Sequence, residues 1–234
     1  MNKHSKILFF GKKNCTFSRK VLYELKRNSK NIKCIYSKNP KAKLSKKILR
    51  WKGDYIICFR SYFILPNILI KKASVAAINF HPGPPNYRGI GCVNFAIFNS
   101  EKTYGSTCHL ISKKVDFGKI IDVRRFKIKD KDNINSILKK TSNLQFDQLK
   151  KLIKKLRSNT NNLKYMIKKS KKEKWSKKLY TRRQLDDLYR INKGTKINIT
   201  NLDNYLKSTV TEKFMPFIEI KKKKLFLSNK KNKL

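Results

Sequence analysis

Apolar residues in the first half of the chain fall in short unbroken runs, separated by stretches with helical spacing. The run at 6–11 (KILFFG) has the length and continuity of a strand covered on both faces, as in a parallel sheet. Thr16 then offers an N-cap for a helix whose Phe17, Val21, Leu22 and Leu25 share one face. A second run at 31–36 completes a β-α-β unit, because parallel strands need a crossover between them. Leu44, Ile48 and Leu49, set in a lysine-rich connection, predict one short helix. Strands are predicted at 54–59 and 75–79, with a short helix between them that starts at Leu65-Pro66 and runs through Leu69 and Ile70.

After residue 79 the pattern changes. The stretch NFHPGPPNYRGIG at 79–91 holds three of the six prolines and three of the eight glycines. Proline stiffens a connection, and glycine lets a backbone turn sharply or approach a ligand. This loop leaves the carboxyl end of a strand, the edge where open α/β sheets bind ligands. Residues 92–98 suit a helix, and 104–111 alternate as a strand with Ser106, Cys108 and Leu110 opposite Thr107 and His109. A strand at 119–126 precedes a long amphipathic helix at 133–156, with Ile134, Ile137, Leu138, Leu149, Leu152 and Ile153 on its apolar face. The predicted fold class is α/β: a mostly parallel twisted sheet with helices on both faces, plus a short C-terminal extension. Residues 1–157 read as the principal domain. Residues 158–180 read as a basic linker, because hydrophobicity falls and lysines cluster at 171–178. Residues 181–234 read as a small extension with a helix at 181–190 and a hairpin at 214–227.

Charge and cysteine content modify this picture without replacing it. The formal net charge of +45 would ordinarily point to polyanionic partners. Only 11 of the 59 basic residues are arginine, however, and the lysines run the length of the chain amid abundant Asn, Ile, Phe and Tyr, as an A+T-rich coding sequence would produce. Five cysteines without a Cys-x-x-Cys pair argue against a zinc ribbon or a disulfide framework, so no metal site is expected. No stretch approaches transmembrane length and the N-terminal apolar run is too short for a secretion signal, which together predict a reducing cytoplasm.

Asn79 and His81 stand two apart at a strand end, so their side chains leave the pleat in the same direction. An amide there can donate to a developing oxyanion, and an imidazole can carry a proton near neutral pH. Asp116 lies further on in VDFG, which taken alone is ordinary turn chemistry. His109, on the strand between, reads as a structural histidine. Trp175 and Tyr180 are candidate wall residues, with linker anchoring as the plainer reading.

Together, Asn-x-His, the Pro/Gly loop and Asp-x-Gly resemble the 10-formyltetrahydrofolate-dependent formyltransferase family, which includes methionyl-tRNA and glycinamide ribonucleotide formyltransferases. The segments KILFFG, GDYIICFRSYFILPNILIKKA, INFHPGPPNYRGIGCVNFAIF, EKTYGSTCHLI, KVDFGKII and EKWSKKLYTRRQLDDLYRI carry the resemblance over most of the chain. HPGPP followed by GIGCVNFA is closest to the short sugar N-formyltransferase-like branch, whereas Arg88-Gly89 resembles the tRNA enzymes. The tail after about residue 192 is shorter than the β-barrel domain with which tRNA enzymes hold their acceptor. Departures from the family pattern are a short 37–53 connection, which predicts a missing sheet-edge element, Phe117 where Thr is common, and Tyr62-Phe63 where smaller residues occur.

The resemblance implies a Rossmann-like catalytic domain over 1–157 and catalysis by Asn79, His81 and Asp116 without a metal. It implies 10-formyltetrahydrofolate as formyl donor, lying against Phe63, Ile64, Leu65, Leu69, Ile70 and the backbone near Val115. Tyr87 and Arg88 are the expected acceptor contacts. The implied acceptor is the amine of a nucleotide-linked 4-amino sugar. Methionyl-tRNA with a reduced acceptor domain and a non-catalytic basic nucleic-acid binder are the alternatives, and a homodimer is left open.

Overall fold

The computed structural model describes residues 1–191, 199–211, 214–220 and 223–227. Strand β1 (Lys6–Lys12), helix α1 (Thr16–Asn28) and strand β2 (Asn31–Ser37) form the expected parallel unit. Cys15, not Thr16, is the N-cap residue, and Thr16 is the first residue of the helix. The short 37–53 connection carries a single 3-10 turn at Lys46–Arg50 before β3 (Gly53–Phe59), and β2 is the strand at that edge of the sheet.

Helix α2 (Asn67–Ile70) leads to β4 (Ala73–His81), which extends two residues beyond the predicted strand and so includes His81. After the proline loop come β5 (Arg88–Gly89), α3 (Cys92–Phe98), β6 (Thr103–Leu110), β7 (Ile120–Lys127) and α4 (Ile134–Ser158). The six-stranded sheet has the order β2-β1-β3-β4-β6-β7. Its first four strands are parallel, and β6 runs antiparallel to both neighbours. No helix among the described residues is long and apolar enough to cross a membrane.

Strand alternation sends Ile7, Phe9, Tyr55, Ile57, Ile78 and Phe80 to one face, where α1 and α4 cover them with Val21, Leu25, Leu149, Leu152 and Ile153. Helix α4 starts at a capping box in which the Asn133 side chain accepts from the Ser136 backbone N–H and Ser136 reciprocates. Within the apolar layer Gln145 of α4 donates to the Phe80 carbonyl at 2.7 Å, tying the helix to β4. The opposite face carries Leu8, Phe10, Ile56, Cys58 and Ala77 beneath the 3-10 turn and α2. Those covering elements are short, and among the described residues no long helix lies over this face toward the carboxyl end of β4.

The segment 158–180, expected as a linker, instead packs onto the domain. It forms α5 (Asn162–Lys169), whose Leu163 and Met166 are buried in the first core, and ends in β8 (Leu179–Tyr180), which pairs in parallel with β5. Lysine-rich composition hid an amphipathic helix, because the few apolar positions face inward and the lysines face water. Helix α6 (Arg182–Tyr189) begins at a second capping box, Thr181 with Gln184. Beyond it lie β9 (Arg190–Ile191), the unanticipated α7 (Ile199–Thr209) and the expected antiparallel pair β10 (Phe217–Ile220) and β11 (Lys223–Phe226). The turn of that hairpin and the chain after residue 227 lie outside the described residues.

Candidate active site

Antiparallel pairing of β4 with β6 sets Asn79 opposite His109 and His81 opposite Thr107. Residues directly opposite in such a pair project from the same face, so two histidines and an amide meet where that face lacks a long helix. The β6–β7 turn folds back over them and brings Asp116 into the group. Its carboxylate lies 3.2 Å from His81 Nδ1 and 3.5 Å from His109 Nε2, and Asn79 Nδ2 donates to it at 3.4 Å. His81 and His109 are each 2% exposed and Asp116 9%, while Asn79 keeps a partly open edge.

Burial alone would lower the His81 pKa, but the Asp116 charge and hydrogen bond beside it raise it well above the ordinary 6.5. Burial alone would raise the Asp116 pKa, but the charge of His81 and hydrogen bonds from both histidines hold it well below the ordinary 3.8. The hydrogen bonds of His81 point the same way. Its Nε2 lies 2.6 Å from the Tyr87 carbonyl, which can only accept, while Nδ1 faces the carboxylate. An imidazolium satisfies both neighbours. Cys92 Sγ stands 3.9 Å from the same Nε2 and donates to the Gly89 carbonyl.

Asp116 has a φ of 43°, in the left-handed region that a non-glycine residue adopts only when its surroundings hold it there. Arg88 supplies that hold. Its Nε donates to the Asp116 carbonyl at 2.7 Å, its other nitrogens donate to the carbonyls of Val115 and Ser176, and its guanidinium lies over the Phe117 ring. The Gly89 N–H adds a hydrogen bond to the carboxylate at 3.1 Å. Gly118 lets the turn fold this tightly, because a Cβ there would sit 1.7 Å from the Leu110 carbonyl oxygen.

Trp175 closes one side of the cluster. Its Nε1 donates to the Gly118 carbonyl at 2.7 Å, and its ring meets His109 and His81 edge-on at 5.0 and 5.8 Å. The segment bearing it is anchored by Ser170 to Ile121, by a two-pronged Arg125–Glu173 ion pair and by Ser176 to Pro85.

The structure therefore brings Asn79, His81 and Asp116 together, and it adds His109 and Trp175. Sequence reasoning took His109 for a structural residue. The strand alternation places it on a face but does not say which strand is opposite. Tyr87 and Arg88, expected at the acceptor, are turned inward in this structure: Tyr87 stacks on Tyr180 with its hydroxyl on Glu101, and Arg88 is buried under the Asp116 turn. Residue type suggested ligand contact, but a guanidinium with three carbonyls in reach is satisfied inside the protein. Among the residues expected at the donor, Leu65 and Leu69 are core side chains, Phe63 and Ile70 are partly buried beside them, and Ile64 is 77% exposed. The Val115 carbonyl is engaged by Arg88 while its side chain stays exposed.

A model of the family described as formyl transferase matches residues 37–156, just over half of the chain and the part that carries Asn79, His81, His109 and Asp116. The chain is 37% identical over 104 residues to the methionyl-tRNA formyltransferase of Levilactobacillus brevis, covering 44% of this chain and 33% of that one. It spans a third or less of the first two curated relatives it matches. A sugar N-formyltransferase from a Shewanella species superposes with a TM-score of 0.69 at 17% identity, covering 96% of this chain and 97% of that one. An N-formyltransferase from Helicobacter canadensis, solved with folinic acid and dTDP-3-aminofucose, superposes with a TM-score of 0.64 at 18% identity, covering 94% and 86%.

Proposed function

This chain belongs to the formyl transferase family, and we propose that it transfers a formyl group from 10-formyltetrahydrofolate to the primary amine of a nucleotide-linked amino sugar, with the 4-amino position as the first to test. The observation that carries this reading is the single hydrogen-bonded cluster of Asn79, His81 and Asp116 at the carboxyl end of β4. Formyl transfer to a neutral amine requires stabilisation of a negative oxygen and passage of a proton away from the attacking nitrogen.

His81 has both ring nitrogens engaged, so its part is to place a fixed positive charge beside the reacting carbon. Asp116 maintains that charge and, buried beside the partly open Asn79, is the group we assign to relay the proton from the attacking amine to the departing folate nitrogen. Asn79, the member with an open edge, is the one we assign to the formyl oxygen. The folate donor supplies a formyl carbon activated on nitrogen. The chain's residues fit a flat conjugated donor, because Ile64, Val115 and Phe117 leave apolar side chains exposed on the loops around the cluster.

Two things support an amino sugar as acceptor: the His-Pro-Gly-Pro-Pro loop, and a fold shared over most of both chains with a protein solved holding folinic acid and dTDP-3-aminofucose. The net charge of +45 favours methionyl-tRNA as the second reading. An assay of tetrahydrofolate release from 10-formyltetrahydrofolate, run against nucleotide-linked 3- and 4-amino sugars and methionyl-tRNA, separates the two. The expected result is turnover with an amino sugar and a rate lower by on the order of 10²-fold or more in His81→Ala. No turnover above that variant with any acceptor would overturn the proposal.

A further inference from the structure

We propose that Trp175 is a positioning residue for formyl transfer: with Ser176 it braces the two pieces of chain that carry Asn79, His81 and Asp116, and its ring keeps water from the His81–Asp116 pair. The inference rests on the formyl-transfer reading for its catalytic meaning, and on the contacts of segment 170–180 for its structural content.

The three polar residues arrive on two separate pieces of chain. Asn79 and His81 end β4, and Asp116 sits in the β6–β7 turn with a left-handed backbone, a conformation that an aspartate keeps only while its neighbours hold it. Arg88 and Gly89 of the proline loop tie that turn to the chain that follows β4. Trp175 and Ser176 tie the same two pieces together again, from a segment that follows α4. The Trp175 Nε1–H donates to the Gly118 carbonyl at 2.7 Å, two residues past Asp116. The Ser176 N–H donates to the Pro85 carbonyl at 3.0 Å, and the Ser176 carbonyl accepts from Arg88 at 2.9 Å. Two adjacent residues therefore hold the turn, the proline loop and the Arg88 guanidinium in one arrangement.

A brace works only if its own ends are fixed. Before Trp175, the Ser170 hydroxyl donates to the Ile121 carbonyl at 2.9 Å, and Glu173 accepts from both Arg125 terminal nitrogens at 2.6 and 2.7 Å. Ile121 and Arg125 belong to β7, which follows the Asp116 turn. After Trp175, β8 pairs with β5, and the Ile90 N–H donates to the Tyr180 carbonyl at 3.0 Å. One end is thus fixed to the strand after the turn and the other to the chain after the proline loop.

The ring has a second effect. It stands 5.0 Å from the His109 ring and 5.8 Å from the His81 ring, at interplanar angles of 84° and 71°. The two histidines are each 2% exposed and Asp116 9%. Water in the space the indole fills would screen the attraction between imidazolium and carboxylate and compete for their hydrogen bonds. Tryptophan suits both tasks, because it combines a large apolar ring with one N–H donor.

The test is kcat and KM of the full chain, by tetrahydrofolate release, in the parent, Trp175→Phe and Trp175→Ala. The alanine variant should lose kcat on the order of 10²-fold, the cost of a displacement of about 1 Å at the reacting groups. Its KM for 10-formyltetrahydrofolate should stay within about 3-fold of the parent's. Trp175→Phe, which keeps a ring and loses the donor, should lose only about 10-fold, the worth of one hydrogen bond. A kcat within about 3-fold of the parent's in Trp175→Ala, or a loss that lies in KM, overturns the proposal. Should the alanine variant not fold, Trp175→Phe decides alone, and a kcat within about 3-fold of the parent's overturns the proposal.

A second measurement needs no turnover: proton NMR of the His81 ring N–H groups in the substrate-free protein. These protons, held against the Tyr87 carbonyl and the Asp116 carboxylate, should be observed in the parent and in Trp175→Phe and lost to solvent exchange in Trp175→Ala. Ring protons that exchange alike in the parent and in a folded Trp175→Ala overturn the proposal. If the parent formylates none of the acceptors, the functional reading fails separately, and the ring protons still decide whether the indole keeps water out.

Discussion

On one face of the central sheet, Ile57, Ile78 and Phe80 meet Leu149, Leu152 and Ile153 of α4. On the other, β4 presents Ala77, Asn79 and His81, and β6 presents His109, beneath a folded-back turn and a tryptophan. Both sets are buried apart from the partly open Asn79, but they are held by different forces. The first face gains from removing apolar area from water, which is non-directional and tolerant of small shifts. The second holds an imidazolium and a carboxylate out of water, which costs free energy unless each polar atom has a partner in the right direction. The first face can be specified by residue type and spacing. The second depends on where Arg88, Gly89, Gly118 and Trp175 bring donors and acceptors, and none of those placements is local.

The contrast predicts that substitutions on the two faces fail in different ways. Asp116→Asn should have the largest effect: a kcat loss on the order of 10²- to 10⁴-fold with the circular dichroism spectrum retained, because the carboxylate that maintains the His81 charge is gone. Activity within about 3-fold of the parent would mean that Asp116 only shapes its turn. Leu152→Ala, on the apolar face, should do the reverse. It should cost about 2–5 kcal/mol of stability in urea unfolding, while the folded fraction keeps its kcat. A comparable loss of kcat there would show that the faces are coupled.

The smallest effect concerns pH. His81 has a raised folded pKa, so its contribution to stability is complete below its ordinary 6.5 and fades as pH rises through the elevated value. Asp116 has a depressed folded pKa, so its contribution is complete above its ordinary 3.8 and fades as pH falls through the depressed value. The difference in urea midpoint between the parent and Asp116→Asn should therefore be greatest between those two ordinary values and shrink on either side. A difference that does not vary with pH would place the contribution outside the ion pair.

Elements built on periodicity were legible to within a residue or two. The runs that became β1 and β3 and the stripe that became α4 needed only spacing, because their energetics are those of apolar burial. The segment at 158–180 was misread for the same reason, since Leu163, Met166 and Trp175 are too few among lysines to raise the average. Asn79 and His81 were legible as a pair because a strand repeats every two residues. Arg88 was legible as an arginine, but not as the residue that holds Asp116 in a left-handed turn.

By itself the sequence determined the parallel β-α-β opening, the long covering helix and the chemical types gathered around the proline loop, because these follow from interactions between residues close along the chain. Only the tertiary structure decided that His109 faces Asn79 across β4 and β6, and that the β6–β7 turn and the Trp175 segment close over them. Strand partner and register are set by contacts between residues far apart in the chain, and a slip of one position would turn every side chain of β6 to the opposite face.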